Sequence, residues 1–130
     1  MGSYKKPLIC DAENISTISE LLKGVDVHCG DYSECESFIT DNAFVYIDPP
    51  YRPLNTTSSF TSYAKTEFGD KQQIQLGHFI EQISDKGAKV VASNSDPKNS
   101  NETDNFFDNL YSEYSILRVS AKRMINNKTA

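Results

Sequence analysis

The stretch Phe44-Val45-Tyr46-Ile47 runs directly into Asp48-Pro49-Pro50-Tyr51, and this junction constrains the fold more than any other. An apolar run of this length, rich in β-branched and aromatic residues, reads as a strand. Proline has no backbone N–H and a fixed φ, so two in succession stop a sheet ladder and make a rigid corner. The continuous apolar run predicts a strand buried on both faces, as in a parallel sheet. The chain must therefore end a strand at Ile47 and present a carboxylate just beyond it.

The rest of the chain alternates around this strand. Asp11 can cap a helix with Ile15, Ile18, Leu21 and Leu22 on one face, and Gly24 supplies its stop. Residues 25–29 alternate and predict a strand ending at Gly30-Asp31-Tyr32. Residues 33–39 read as a short helix. After a polar loop from Arg52 to Gly69, Asp70 starts a helix striped by Ile74, Leu76, Phe79, Ile80 and Ile83, ended by Gly87. Residues 88–93 predict a strand, 104–110 a short helix and 114–120 a last strand. Helices alternating with strands predict an α/β layer structure with a mostly parallel sheet and flanking helices, in one domain over 1–130. Ligands in such sheets bind beyond the carboxyl ends of the strands. Asp31, Asp48 and Asn94 each follow a predicted strand and are expected along one edge.

The side chains at the corner suit a particular chemistry. A carboxylate and a preorganised carbonyl are both pure acceptors and together can hold both hydrogens of one NH2 group. A neighbouring tyrosine can stack on a flat ring. The set fits an exocyclic aromatic amine such as adenine N6, whose lone pair is delocalised into its ring. Two fixed acceptors draw that nitrogen toward tetrahedral geometry and stabilise the positive charge that develops during attack on an electrophilic methyl group. A base inside duplex DNA must first be flipped out to be reached.

Composition excludes other classes. The formal net charge is −5, which does not suit an autonomous nucleic-acid binder. Arg118, Lys122, Arg123 and Lys128 nevertheless form an acid-free basic stretch at the C-terminal end; it reads equally as a solvated tail or a phosphate-contacting edge. No apolar run approaches the ~20 residues that span a bilayer. Three cysteines without a CxxC pair, and no secretory signal, argue for reduced thiols in the cytoplasm. Cys29 and Cys35 lack the further ligands a metal site needs, and no metal is expected.

These motifs resemble the S-adenosylmethionine-dependent DNA adenine-N6 methyltransferases, and more closely their Dam-like group, the D12 class. Asp48-Pro49-Pro50-Tyr51 resembles the catalytic motif. "HCGDY" (28–32) resembles the strand end that faces the cofactor's adenine, and "TSSFTSY" (57–63) the loop after the catalytic motif. "VVASNSD" (90–96) resembles the strand end lining the target pocket, residues 118–130 the terminal hairpin region, and residues 2–11 the segment after the DNA-recognition insertion.

The resemblance implies a partial Rossmann-like methyltransferase fold. Asp48 and the Pro49 carbonyl would bind the target N6, with Pro50 shaping the corner and Tyr51 stacking on a flipped base. Asp31 would accept from the cofactor's adenine amine, with Tyr32 packed beside it. Phe60, Tyr63, Asn94 and Arg123 would contact substrate. Bland readings stand beside these: Asp31 and Asn94 as turn or cap residues, Tyr32 as core, Phe60 and Tyr63 as loop anchors.

The family's Phe-x-Gly-x-Gly strand-turn for the methionine end of the cofactor is absent from these residues. The chain therefore reads as the C-terminal, catalytic portion of a methyltransferase, of the restriction-modification or Dam type, acting on double-stranded DNA. Weak activity alone and self-association through exposed sheet edges are expected. The competing reading is a non-enzymatic remnant, a folded module that self-associates or depends on a partner. The DNA recognition sequence is not legible here, because such residues lie mainly in the recognition insertion.

Overall fold

The computed structural model describes residues 10–52 and 68–120. The chain divides into two units, 1–31 and 32–130.

In the first unit, helix α1 spans Ala12–Leu21. Asp11 caps it as the sequence requires, its Oδ1 accepting from the Asn14 amide at 3.1 Å. The helix ends at Leu22, and Gly24 follows with φ +89°, a left-handed conformation costly for other residues. The apolar positions Ile15, Ile18, Leu21 and Leu22 are all exposed. The strand expected over 25–29 is not formed among the described residues. A strand exists only when a neighbour takes up its backbone groups, and alternating sequence alone does not supply one.

The second unit is built around a strand-helix-strand crossover. Strand β1 is Phe44–Ile47, helix α2 is Asp70–Asp85 and strand β2 is Lys89–Ala92. The strands pair in parallel, with Phe44 opposite Lys89 and Ile47 opposite Ala92. Parallel strands cannot be joined by a tight turn, and here α2 makes the crossover. At the start of α2 the Gln72 side chain reaches back to accept from the Gly69 amide at 3.1 Å. At its end the Gly87 amide donates to the Ser84 carbonyl (2.8 Å) and the Ala88 amide to the Ile83 carbonyl (3.2 Å). This is a Schellman motif, and it needs the positive φ that Gly87 adopts, +98°.

The core lies between α2 and one face of this pair. Leu76, Phe79, Ile80 and Ile83 are buried, with Val45, Ile47 and Val90 of the strands packed against them, and Tyr32, Ile39, Phe68 and Tyr111 around the margin. Ile74, expected on this stripe, is instead 40% exposed, and Gln73 takes the buried position. The spacing 73, 76, 80, 83 follows one helical face, which 74 leaves.

The other sheet face is uncovered: Phe44 is 68% exposed and Tyr46 61%. This corrects the expectation of a strand buried on both faces, because among the described residues no helix covers that side. The expected short helix near 33–39 is a 3₁₀ helix over Tyr32–Phe38. It is tied to α2 through Glu36, which accepts from Gln82 (2.6 Å) and pairs with Lys86 (2.8 Å). Helix α3 spans Phe106–Leu110, shorter than the 104–110 expected. Residues 114–120 form no strand. The described architecture is thus mixed helices with a two-stranded parallel sheet, an α/β arrangement smaller than the alternation predicted.

Candidate active site

Because β1 and β2 run parallel and in register, their carboxyl ends lie side by side. Asp48 follows one and Ser93-Asn94 the other. The Ser93 amide donates to the Ile47 carbonyl at 2.9 Å, extending the pairing by one step. Its hydroxyl donates to Asp48 Oδ1 at 2.7 Å and accepts from the Tyr46 hydroxyl at 3.3 Å. One oxygen of the exposed Asp48 carboxylate is thereby fixed, and among the described residues no donor is placed on Oδ2, an acceptor of set direction. Sequence reading missed Ser93, although it stands one residue from Asn94 in the same strand-end motif.

The corner that follows is held from beneath. Gln73 is fully buried. Its Nε2 donates to the Pro50 carbonyl at 3.0 Å, and its Oε1 accepts from Asn94 Nδ2 at 3.1 Å. Asn94 Oδ1 in turn accepts from the Arg52 amide (3.3 Å) and the Ser95 amide (2.9 Å). Among the described residues no donor is placed on the Pro49 carbonyl, so it remains an acceptor next to Asp48. Tyr51 is 52% exposed, leaving ring surface to stack.

Arg52 ties the end of the corner to the start of α2. Its guanidinium forks onto Asp70 (Nε–Oδ1 2.6 Å, Nη2–Oδ2 3.1 Å), reaches Asp104 (Nη1–Oδ2 2.6 Å) and lies 4.4 Å from the Phe106 ring centroid. Bidentate pairing with a planar carboxylate is a geometry only arginine supplies. The hydrogen bond to Asp70 is the main cause that holds the Arg52 pKa above its ordinary value. The Arg52 hydrogen bond in turn lowers that of Asp104.

A second cluster lies nearby in the chain. Arg118 binds Asp108 (2.8 Å) and Asp96 (2.8 Å), and Lys98 binds Asp108 (3.1 Å). Arg118, with Lys98 second, holds the Asp108 pKa down. Both carboxylates are thus depressed in the folded state below the ordinary value of 3.8. Depressed groups contribute stability that is present above the unfolded pKa and lost as pH falls through the folded one. Stability, read as the urea midpoint, is therefore expected to be flat near neutrality and to decline below about pH 4. The double substitution Asp104→Asn, Asp108→Asn should flatten that decline; an unchanged acid limb would contradict these pairings.

The sequence-predicted residues are distributed as follows. Asp48, Pro49, Pro50, Tyr51 and Asn94 are gathered at the paired strand ends. Tyr32 packs its ring edgewise on Phe79, centroids 5.1 Å apart. Asp31 ends the first unit and is exposed. Phe60, Tyr63 and Arg123 lie outside the described residues.

Comparison with known proteins decides which family supplies this arrangement. The profile described as D12 class N6 adenine-specific DNA methyltransferase matches residues 1–125. The chain belongs to the D12 class.

Among curated relatives, the chain is 46% identical over 127 residues to the type II methyltransferase M.MjaIII of Methanocaldococcus jannaschii, covering 98% of this chain and 42% of the relative. It is 36% identical over 131 residues to the type II methyltransferase M1.LlaDCHI of Lactococcus lactis subsp. cremoris, covering 99% and 44%. It is 34% identical over 95 residues to the DNA adenine methylase of Escherichia coli K12, covering 73% and 34%. The chain thus spans less than half the length of these relatives. No solved structure matches it significantly. Among the described residues no helix is long and apolar enough to cross a membrane, and the three cysteines are exposed thiols.

Proposed function

We propose that this chain is the catalytic portion of a site-specific, cytoplasmic DNA adenine-N6 methyltransferase with a partial Rossmann-like fold. It would place a methyl group from S-adenosylmethionine on N6 of an adenine flipped out of duplex DNA. The observation that carries the reading is the acceptor pair. Asp48, oriented by Ser93 at 2.7 Å, stands one residue from the Pro49 carbonyl on a rigid double-proline corner. Membership of the D12 class supports the choice of adenine as the base.

The residues' roles follow from their chemistry. Asp48 Oδ2 and the Pro49 carbonyl accept the two N6 hydrogens and stabilise charge developing on the nitrogen. Tyr51 stacks on the flipped ring. Asp31, a carboxylate acceptor, suits the adenine amine of S-adenosylmethionine, and Tyr32 its flat ring. When bound, that cofactor supplies the electrophilic methyl group. Phe60, Tyr63 and Arg123 are assigned to substrate by resemblance, as is Asn94.

The glycine strand-turn that would receive the methionine end is not in these 130 residues. Weak cofactor binding and little or no transfer by the chain alone are therefore expected. Isothermal titration with S-adenosylmethionine and a tritiated-methyl transfer assay on duplex DNA check this. Robust turnover by the isolated chain would contradict the part of the reading that makes it a fragment.

A second reading, a non-enzymatic module that self-associates or needs a partner, is favoured by one observation. The sheet face bearing Phe44, Tyr46 and Val91 is exposed, and parallel sheets are ordinarily covered on both faces. Light scattering over a concentration series tests it: a constant monomer mass removes self-association.

A further inference from the structure

Gln73 is the one buried polar residue of the described core. An amide at a fully buried helical position costs stability unless its hydrogen bonds are made. Here they are made to the corner rather than to its own helix. The Nε2 group takes the Pro50 carbonyl (3.0 Å), and Oε1 takes Asn94 (3.1 Å), which grips the Arg52 amide at 3.3 Å. The residues on both sides of Tyr51 are thereby bonded into one network rooted in α2.

We infer that Gln73 is a positioning residue that sorts the acceptors of the corner and so sets its selectivity for a ring carrying an exocyclic NH2. This rests on the proposed reading of Asp48 and Pro49 as the amine site. A double-proline corner offers two successive carbonyls, those of Pro49 and Pro50. Engaging the Pro50 carbonyl removes it as a competing acceptor. The same bond fixes the peptide plane after Pro50, so the Pro49 carbonyl keeps a set direction, while the plane after Tyr51 is held by the separate bond from the Arg52 amide to Asn94. Gln73 itself touches no substrate in this arrangement; it acts through Pro50 and Asn94.

Adenosine and purine riboside differ only in the N6 amine, and reading their titrations at the Tyr51, Arg52, Ser93 and Asn94 amides keeps binding at the corner apart from adenosine held at the Asp31 site. Their affinities for the 130-residue chain are measured by amide chemical-shift titration near neutral pH. Wild type is expected to favour adenosine by about tenfold, the effect of a hydrogen bond to a charged group. In Gln73→Met, which removes both bonds, and in Gln73→Glu, which keeps the acceptor for Asn94 but loses the donor to Pro50 when ionised, the preference should fall below about threefold. Affinity for purine riboside, which reports stacking alone, should change little. A merely structural role would weaken both nucleosides together.

Adenosine preference unchanged in both folded variants would overturn the positioning role and leave the amine site standing. Equal wild-type affinities would sink the amine reading itself, and the selectivity role with it. The Gln73 side-chain resonances of wild type provide an arm that needs no variant to fold. One Nε2 proton should exchange slowly with solvent, and rapid exchange of both would overturn the proposal.

Discussion

Asp48→Ala is expected to abolish methyl transfer, by about 10²- to 10³-fold or more, while the fold survives. The comparison is made in a polypeptide completed by joining this chain to the unmatched portion of the M.MjaIII relative. Asp48 is exposed, and its recorded hydrogen bond in the described structure is from the Ser93 hydroxyl. Substitution at such a surface position shifts stability by only about 0.5 kcal/mol. The loss should therefore appear in kcat with an unchanged urea midpoint. Asp48→Asn is a sharper comparison. It keeps the shape and one carbonyl acceptor but lacks the charge that stabilises a developing cationic nitrogen, so it should retain some transfer. Full activity in Asp48→Ala would remove the corner from the mechanism.

The largest effect on stability is expected at Ile83. Its side chain is fully buried and belongs to the cluster with Leu76, Phe79 and Ile80, against which Val45 and Val90 pack. Ile83→Ala should destabilise by about 2–5 kcal/mol through lost burial plus the cavity left behind. Small domains are stable by only about 5–15 kcal/mol, so this core has little in reserve. Phe44→Ala provides the internal contrast. Phe44 is equally apolar and lies in β1, but it is 68% exposed on the uncovered face. Its loss should shift the urea midpoint little, within about 0.5 kcal/mol. Equal losses at the two positions would mean that the Phe44 face is buried in solution, by a second copy for instance.

These two residues also show what the sequence could reveal. Ile83 stands on a helical stripe that marks its buried face, whereas Phe44 shares one apolar run with the covered Val45, and nothing local distinguishes the covered strand face from the bare one. Features decided by adjacent residues were legible: the Asp11 cap, the stops at Gly24 and Gly87, and the strand end at Asp48. So was the placing of Asp48 and Asn94 at neighbouring strand ends, because parallel crossovers bring carboxyl ends together. Alternation predicts a strand at 25–29, and the order of elements a last strand at 114–120, but pairing needs a neighbour that no local pattern can provide. The buried role of Gln73 was hidden because a glutamine in a helix is ordinarily a surface residue. A register count placing 73 with 76, 80 and 83 would have signalled it. Arg52 meets partners 18 and 52 residues away, a relation that no local pattern encodes.

Under the proposed function the corner would account for a choice of atom, not merely of substrate. Its acceptors suit a planar amine, and membership of the D12 class narrows the amine to adenine N6. The decisive measurement is nucleoside analysis by mass spectrometry. Duplex DNA is incubated with S-adenosylmethionine carrying a deuterated methyl group and with the completed polypeptide, Asp48→Ala serving as control. Label in N6-methyladenine, absent from the control, is the predicted result. Label on cytosine, or on adenine at equal levels with Asp48→Ala, would contradict it.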